Sequence, residues 1–214
     1  MPNLVNVQLQ NAFQSMDSVT ITGGNHSIPF SHTDIGALKL FMTKYWECWS
    51  DERVPSSITE LIIGNWKCND ARITELDLSK YPLLKNVTIG SHSCANVKMV
   101  TLCGLSELES VVVGESSFSQ KEGSVVVKNC GVLKELRVGD GSFIRFSELK
   151  MEAVPVLESV VVGRKCFENG NELRLMSLKG LKSVVIREKS FTKGAGQFRL
   201  VDCKVMETLS LGSG

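Results

Sequence analysis

Leu108-Glu109-Ser110-Val111-Val112-Val113-Gly114, Leu157-Glu158-Ser159-Val160-Val161-Val162-Gly163 and Leu181-Lys182-Ser183-Val184-Val185-Ile186-Arg187 are three copies of one pattern. Each is followed by a small residue and a phenylalanine: Ser117-Phe118, Cys166-Phe167 and Ser190-Phe191. Weaker copies fill the intervals, so the pattern returns every 24 to 26 residues from Ile58 to Leu211. A fixed period of this length marks stacked supersecondary units, none of which buries its apolar face alone.

Taking the leading residue as position zero aligns Ile58, Leu84, Leu108, Leu133, Leu157, Leu181 and Met206. Position three is then Leu or Val, and position five Ile, Val or Leu. Position six is Gly64, Gly90, Gly114, Gly139, Gly163, Arg187 and Gly212, and position ten is Cys68, Cys94, Phe118, Phe143, Phe167 and Phe191. A second block, apolar-x-apolar-x-x-apolar, closes each unit, as in Val100, Leu102, Leu105 and Leu173, Leu175, Leu178. Both blocks alternate with period two in β-favouring residues, so each coil is expected to hold two short parallel strands. Successive coils then lie about 4.8 Å apart. The glycine of position six is expected to turn the chain with φ > 0, and Arg187 then implies a strained corner or one that needs no positive φ. The fold class is a β-rich solenoid of parallel stacked coils.

The first block resembles a leucine-rich repeat, with apolar residues at offsets zero, three, five and ten. Offset eight departs from that pattern: Trp66, His92, Ser116, Gly141, Lys165 and Lys189 stand where an Asn or Cys is usual. The Gly followed by a small residue and Phe is similar to the divergent BspA-like repeats of bacterial and protist proteins. The resemblance runs from Ile58 onward. It implies a curved solenoid used for protein recognition and brings no catalytic residue.

Residues 1–57 are expected to form an N-terminal cap on the solenoid of residues 58–214. Val7 and Leu9 read as a degenerate second block, and Met16, Val19 and Ile21 as a degenerate first block. Ile35, Leu38, Phe41, Met42, Tyr45 and Trp49 recur at helical spacing after Thr33-Asp34, which predicts one helix over 34–49. Its Trp46 and Trp49 are candidate partner contacts. The chain stops in mid-coil at Gly212-Ser213-Gly214, so the last coil is expected to pack on further repeats or on another chain.

Net charge is +1 across 214 residues, which gives no electrostatic case for nucleic acid. No 18-residue apolar run suggests a membrane span, and the N-terminus lacks the regions of a signal peptide. The seven cysteines form no C-x-x-C, and their odd number suits a reducing, cytoplasmic setting without disulfides. Cys68, Cys94, Cys130 and Cys203 replace core residues of other copies and read as small hydrophobes. No metal set, cofactor motif or catalytic constellation is apparent, and Ser117 and Ser142 sit in repeat turns without an identifiable base.

These features point to a non-catalytic scaffold that binds a protein partner. The solvent face of the first strand carries Ile62, Val112, Val161 and Val185 in one row, with Arg137 at its middle and Glu135 beside it. This row is the candidate binding stripe. The alternative is a parallel β-helix that binds or acts on an anionic polysaccharide through the second-strand face. That face reads Asp77, Thr101, Val126, Lys150, Arg174 and Arg199, without the clustered acids that glycoside hydrolysis needs. The row at offset one alternates in sign from Lys85 through Glu109, Lys134, Glu158 and Lys182 to Glu207, and is expected to fix register rather than bind.

Overall fold

A computed structural model describes residues 7–8, 20–23, 26–29, 38–42, 56–192 and 197–213. From Ile58 onward it is a parallel β-solenoid with two strands per coil. The leading strands are β5 (Glu60–Ile63), β7 (Asn86–Ile89), β9 (Ser110–Val113), β11 (Glu135–Val138), β13 (Ser159–Val162), β15 (Ser183–Ile186) and β17 (Thr208–Leu211). The second strands are β6 (Glu75–Asp77), β8 (Met99–Cys103), β10 (Ser124–Lys128), β12 (Glu148–Glu152), β14 (Glu172–Met176) and β16 (Gln197–Val201). Each set forms its own sheet, with coils in sequence order and every neighbour parallel. Leu136 pairs with Val111 on one side and Val160 on the other, so like positions of the repeat are true spatial neighbours.

Alternation in the sequence becomes alternation in burial. In β9, Val111 and Val113 are buried while Ser110 and Val112 are half-exposed. The core lies between the two sheets and is a set of columns, one residue per coil. Position zero contributes Leu84, Leu108, Leu133, Leu157 and Leu181, all fully buried. Position ten contributes a stack of rings: Phe118 on Phe143 at 4.5 Å, Phe143 on Phe167 at 5.2 Å and Phe167 on Phe191 at 5.0 Å. Phe146 adds an edge contact to Phe143 at 4.9 Å.

The corners differ from the expectation at glycine. None of Gly90, Gly114, Gly139 and Gly163 has a positive φ. The left-handed residues are at offsets eight and ten, as in His92 and Cys94 or Lys165 and Phe167, and directly after the second strand, as in Asn129, Ala153 and Ser177. Position six needs glycine for space. A Cβ on Gly114 would lie 2.6 Å from the Ser91 backbone N, and one on Gly139 2.7 Å from the Gly114 carbonyl carbon. Arg187 occupies the same step without positive φ. Its N–H reaches the Val162 carbonyl at 3.0 Å, where Gly114 and Gly212 make the equivalent bond at 2.7 Å. The other corner is a tight turn: the N–H of position zero donates to the carbonyl three residues earlier, as from Leu84 to Tyr81 and from Leu181 to Leu178.

Three expectations for the N-terminal segment are corrected. Leu38–Met42, inside the predicted helix of 34–49, is a strand (β4) pairing in parallel with β5. The rest of that range lies outside the described residues. Leu38, Leu40 and Met42 also alternate with period two, and the partner strand β5 supplies hydrogen bonds that favour this pattern over the helical one. Val7–Gln8 (β1) pairs with β4 and so extends the leading-strand sheet rather than the second-block sheet. Ile21 belongs to an antiparallel hairpin of β2 (Thr20–Gly23) and β3 (His26–Pro29), which breaks the repeat. Leu9, Met16 and Val19 lie outside the described residues.

Candidate functional site

The outward side of the leading-strand sheet is a lattice of two rows. Offset two supplies Glu60, Asn86, Ser110, Glu135, Ser159 and Ser183; offset four supplies Ile62, Thr88, Val112, Arg137, Val161 and Val185. The register places Arg137 between Val112 and Val161, and Val161 beside Val185. Ile62, Val112, Val161 and Val185 are half-exposed, and Arg137 is exposed. Short side chains fill offset two, and the Ser110 hydroxyl donates to Asn86 Oδ1 at 2.8 Å. Arg137 Nε donates to Glu135 Oε1 of its own strand, so the cation stands over the stripe with its charge partly met. The structure therefore brings together Ile62, Val112, Glu135, Arg137, Val161 and Val185 on one face. Trp46 and Trp49 lie outside the described residues.

The structure adds two exposed apolar features that the sequence reading did not single out. Leu83, Val132, Val156 and Val205, 38–48% exposed, all precede position zero and line one edge of the solenoid. Aligning the repeat one residue earlier would have shown this row. At the offset-eight corner, Trp66 is 67% exposed and stacks on His92, with ring centroids 4.0 Å apart and planes 10° apart. Alignment also shows two aromatics in succession there, but only the left-handed corner turns both side chains outward together.

The charged row at offset one runs along the edge of the same sheet. Its backbones bond coil to coil, as from Glu109 N–H to Lys85 C=O at 2.7 Å. Lys134 meets Glu109 at 3.3 Å and Lys182 meets Glu158 at 3.5 Å. Such exposed pairs contribute at most about 1 kcal/mol each.

The second-sheet face is charge-compensated. Lys150 meets Glu148 at 2.6 Å and Glu172 at 3.7 Å, and Arg174 also pairs with Glu172. The hydrogen bond from Arg174 holds the Glu172 carboxyl below its usual range against an opposing desolvation. The charges of Arg174, Lys150 and Arg199 add to the lowering. Two of the three basic side chains on this face thus already have carboxylate partners.

The corner serines are structural. Ser93, Ser117 and Ser142 are fully buried. The Ser117 hydroxyl donates to the Gly90 carbonyl at 2.7 Å and accepts from the Ser93 N–H at 3.1 Å; Ser142 repeats this with Gly114 and Ser117. This ladder at offset nine satisfies the buried corner backbone. Cys166 stands in the same column, with Sγ 3.2 Å from the Gly139 carbonyl oxygen, and burial pushes its thiol up to about 12. No disulfide joins the six described cysteines, and Cys203 is half-exposed where the sequence suggested core. Among the described residues no group of three or more His, Cys, Asp or Glu is placed to hold a metal ion. No family model, curated protein or solved structure matches the chain.

Proposed function

We propose that this solenoid is a non-catalytic protein-interaction scaffold of the leucine-rich-repeat type, which binds its partner on the outward face of the leading-strand sheet. The observation that carries the reading is the in-register row of half-exposed aliphatics, Ile62, Val112, Val161 and Val185, with Arg137 at its centre. Such a row offers contiguous apolar area to a partner, and Arg137 is of a residue type enriched at protein interfaces. An anionic polysaccharide on the second-sheet face has less support, because Glu148 and Glu172 already pair with Lys150 and Arg174.

The test compares Val161→Lys on the first face with Arg199→Glu on the second, both at outward strand positions. Partners captured by the wild-type chain should be lost with Val161→Lys and kept with Arg199→Glu, each variant retaining its circular dichroism spectrum. The opposite pattern would move the interface to the second sheet.

A further inference from the structure

Cys68 and Cys94 are the first two described steps of the interior column that Phe118, Phe143, Phe167 and Phe191 continue. They share the backbone conformation of that column, with φ of 55° and 56°, so their Cα–Cβ bonds run parallel from coil to coil. The Cys94 N–H donates to the Lys67 carbonyl at 2.9 Å, which fixes the two backbones one coil apart. The later coils stack rings 4.5 to 5.2 Å apart at this position, and the same register sets the two cysteines in adjacent coils of the column. Both side chains are buried in the core, Cys68 3% and Cys94 1% exposed.

A disulfide needs Cα atoms about 4.4–6.8 Å apart and Cβ atoms about 3.5–4.5 Å apart. Parallel coils spaced by about 4.8 Å meet the first condition. Parallel Cβ atoms at that spacing narrowly miss the second, so closing the bond must draw the two coils together. Bridges formed under such strain are the readily reduced ones. We propose that Cys68 and Cys94 close a reversible disulfide that staples the first two repeat coils when a small disulfide, such as oxidised glutathione, accepts the electrons.

The Cys68 thiolate attacks oxidised glutathione, forming a mixed disulfide and releasing one glutathione thiolate. The Cys94 thiol then loses its proton, and its sulfur displaces the second glutathione. The net reaction takes two protein thiols and one glutathione disulfide to one protein disulfide and two glutathione thiols. Cys68 is the better first nucleophile. The hydrogen bond from Cys94 lowers its thiol pKa, burial opposes this, and the Lys67 charge adds to the lowering, whereas the bond to Cys68 and full burial both raise Cys94. The product is neutral and leaves no charge in the core. Trp66 and His92 sit two residues before the two cysteines, so the bridge would tighten the same two coils under the exposed aromatic stack.

The experiment incubates the full chain with oxidised glutathione, blocks remaining thiols with iodoacetamide and maps tryptic peptides by mass. The expected product joins the peptide of residues 68–72 to that of residues 86–98, is 2 Da lighter than the two free peptides, and disappears with dithiothreitol. Cys94→Ala should abolish it and leave glutathione on Cys68. Folding of that variant is checked by circular dichroism, and the wild-type map stands independently of it. Glutathione adducts on both cysteines without linkage, modification of Cys103 alone, or no reaction at either position would overturn the proposal.

Discussion

The aromatic column makes a position-dependent prediction. Phe143 touches three other rings: Phe118 and Phe167 stacked, at 4.5 and 5.2 Å, and Phe146 edge-on at 4.9 Å. Phe191 stacks on Phe167 at 5.0 Å and is partly exposed. Substitution by leucine keeps most of the apolar volume and removes the ring contacts. Each aromatic pair contributes about 0.5–1.5 kcal/mol beyond area burial, so Phe143→Leu should cost about 1.5–4.5 kcal/mol and Phe191→Leu about 0.5–1.5. Both residues are left-handed, with φ of 55°, so backbone strain cancels in the comparison. The assay is urea unfolding followed by far-ultraviolet circular dichroism. With a slope of about 2–3 kcal/mol/M, a 2 kcal/mol difference separates the two midpoints by about 0.7–1 M. An unchanged slope shows that the same cooperative unit is being compared. A Phe143→Leu midpoint at or above that of Phe191→Leu would refute the column as the source of coupling between coils.

Ser117→Ala should destabilise the fold by about 1–3 kcal/mol in the same assay, because it leaves the buried Ser93 N–H and the part-buried Gly90 carbonyl without their partner. Lys165 is exposed and has φ of 53° at a corner where the preceding coil has Gly141. Lys165→Gly should therefore stabilise the fold, by about 0.5 kcal/mol once relief of the left-handed strain is set against the added freedom of the unfolded chain, and so raise the midpoint. Glu158→Lys breaks the pair with Lys182 and sets three lysines in succession, at 134, 158 and 182. Its cost should stay below about 1 kcal/mol and shrink as salt is added. A salt-independent loss would exclude the electrostatic explanation. Glu172 has a depressed folded pKa, so its contribution is present above its unfolded pKa and is lost as pH falls through the folded value. Glu172→Gln should narrow the stability gap between neutral and acid pH, measured from unfolding midpoints across that range.

The period, the coil boundaries and the core columns were legible in the sequence because a solenoid makes each of them local. A residue's neighbours are the same offset in the preceding and following coils, so aligning the repeats amounts to reading contacts. Leu133, Phe143 and Val160 could be placed in this way, and the half-exposed row of Val112, Val161 and Val185 followed from the same alternation. Other features depend on how backbone meets backbone. Glycine at position six is set by the 2.4–2.7 Å clearance to the coil beneath, whereas the left-handed turns fell to residues as ordinary as Ser116 and Lys165. The serine ladder, the Cys68 and Cys94 pair and the Trp66 stack also required corner geometry that alternation does not encode. Leu38–Met42 fits either period, and the free edge of β5 made it a strand. Sequence thus determined which residues share a column, because the repeat period does that alone. Tertiary structure decided how each corner closes, because that depends on the space left by the neighbouring coil.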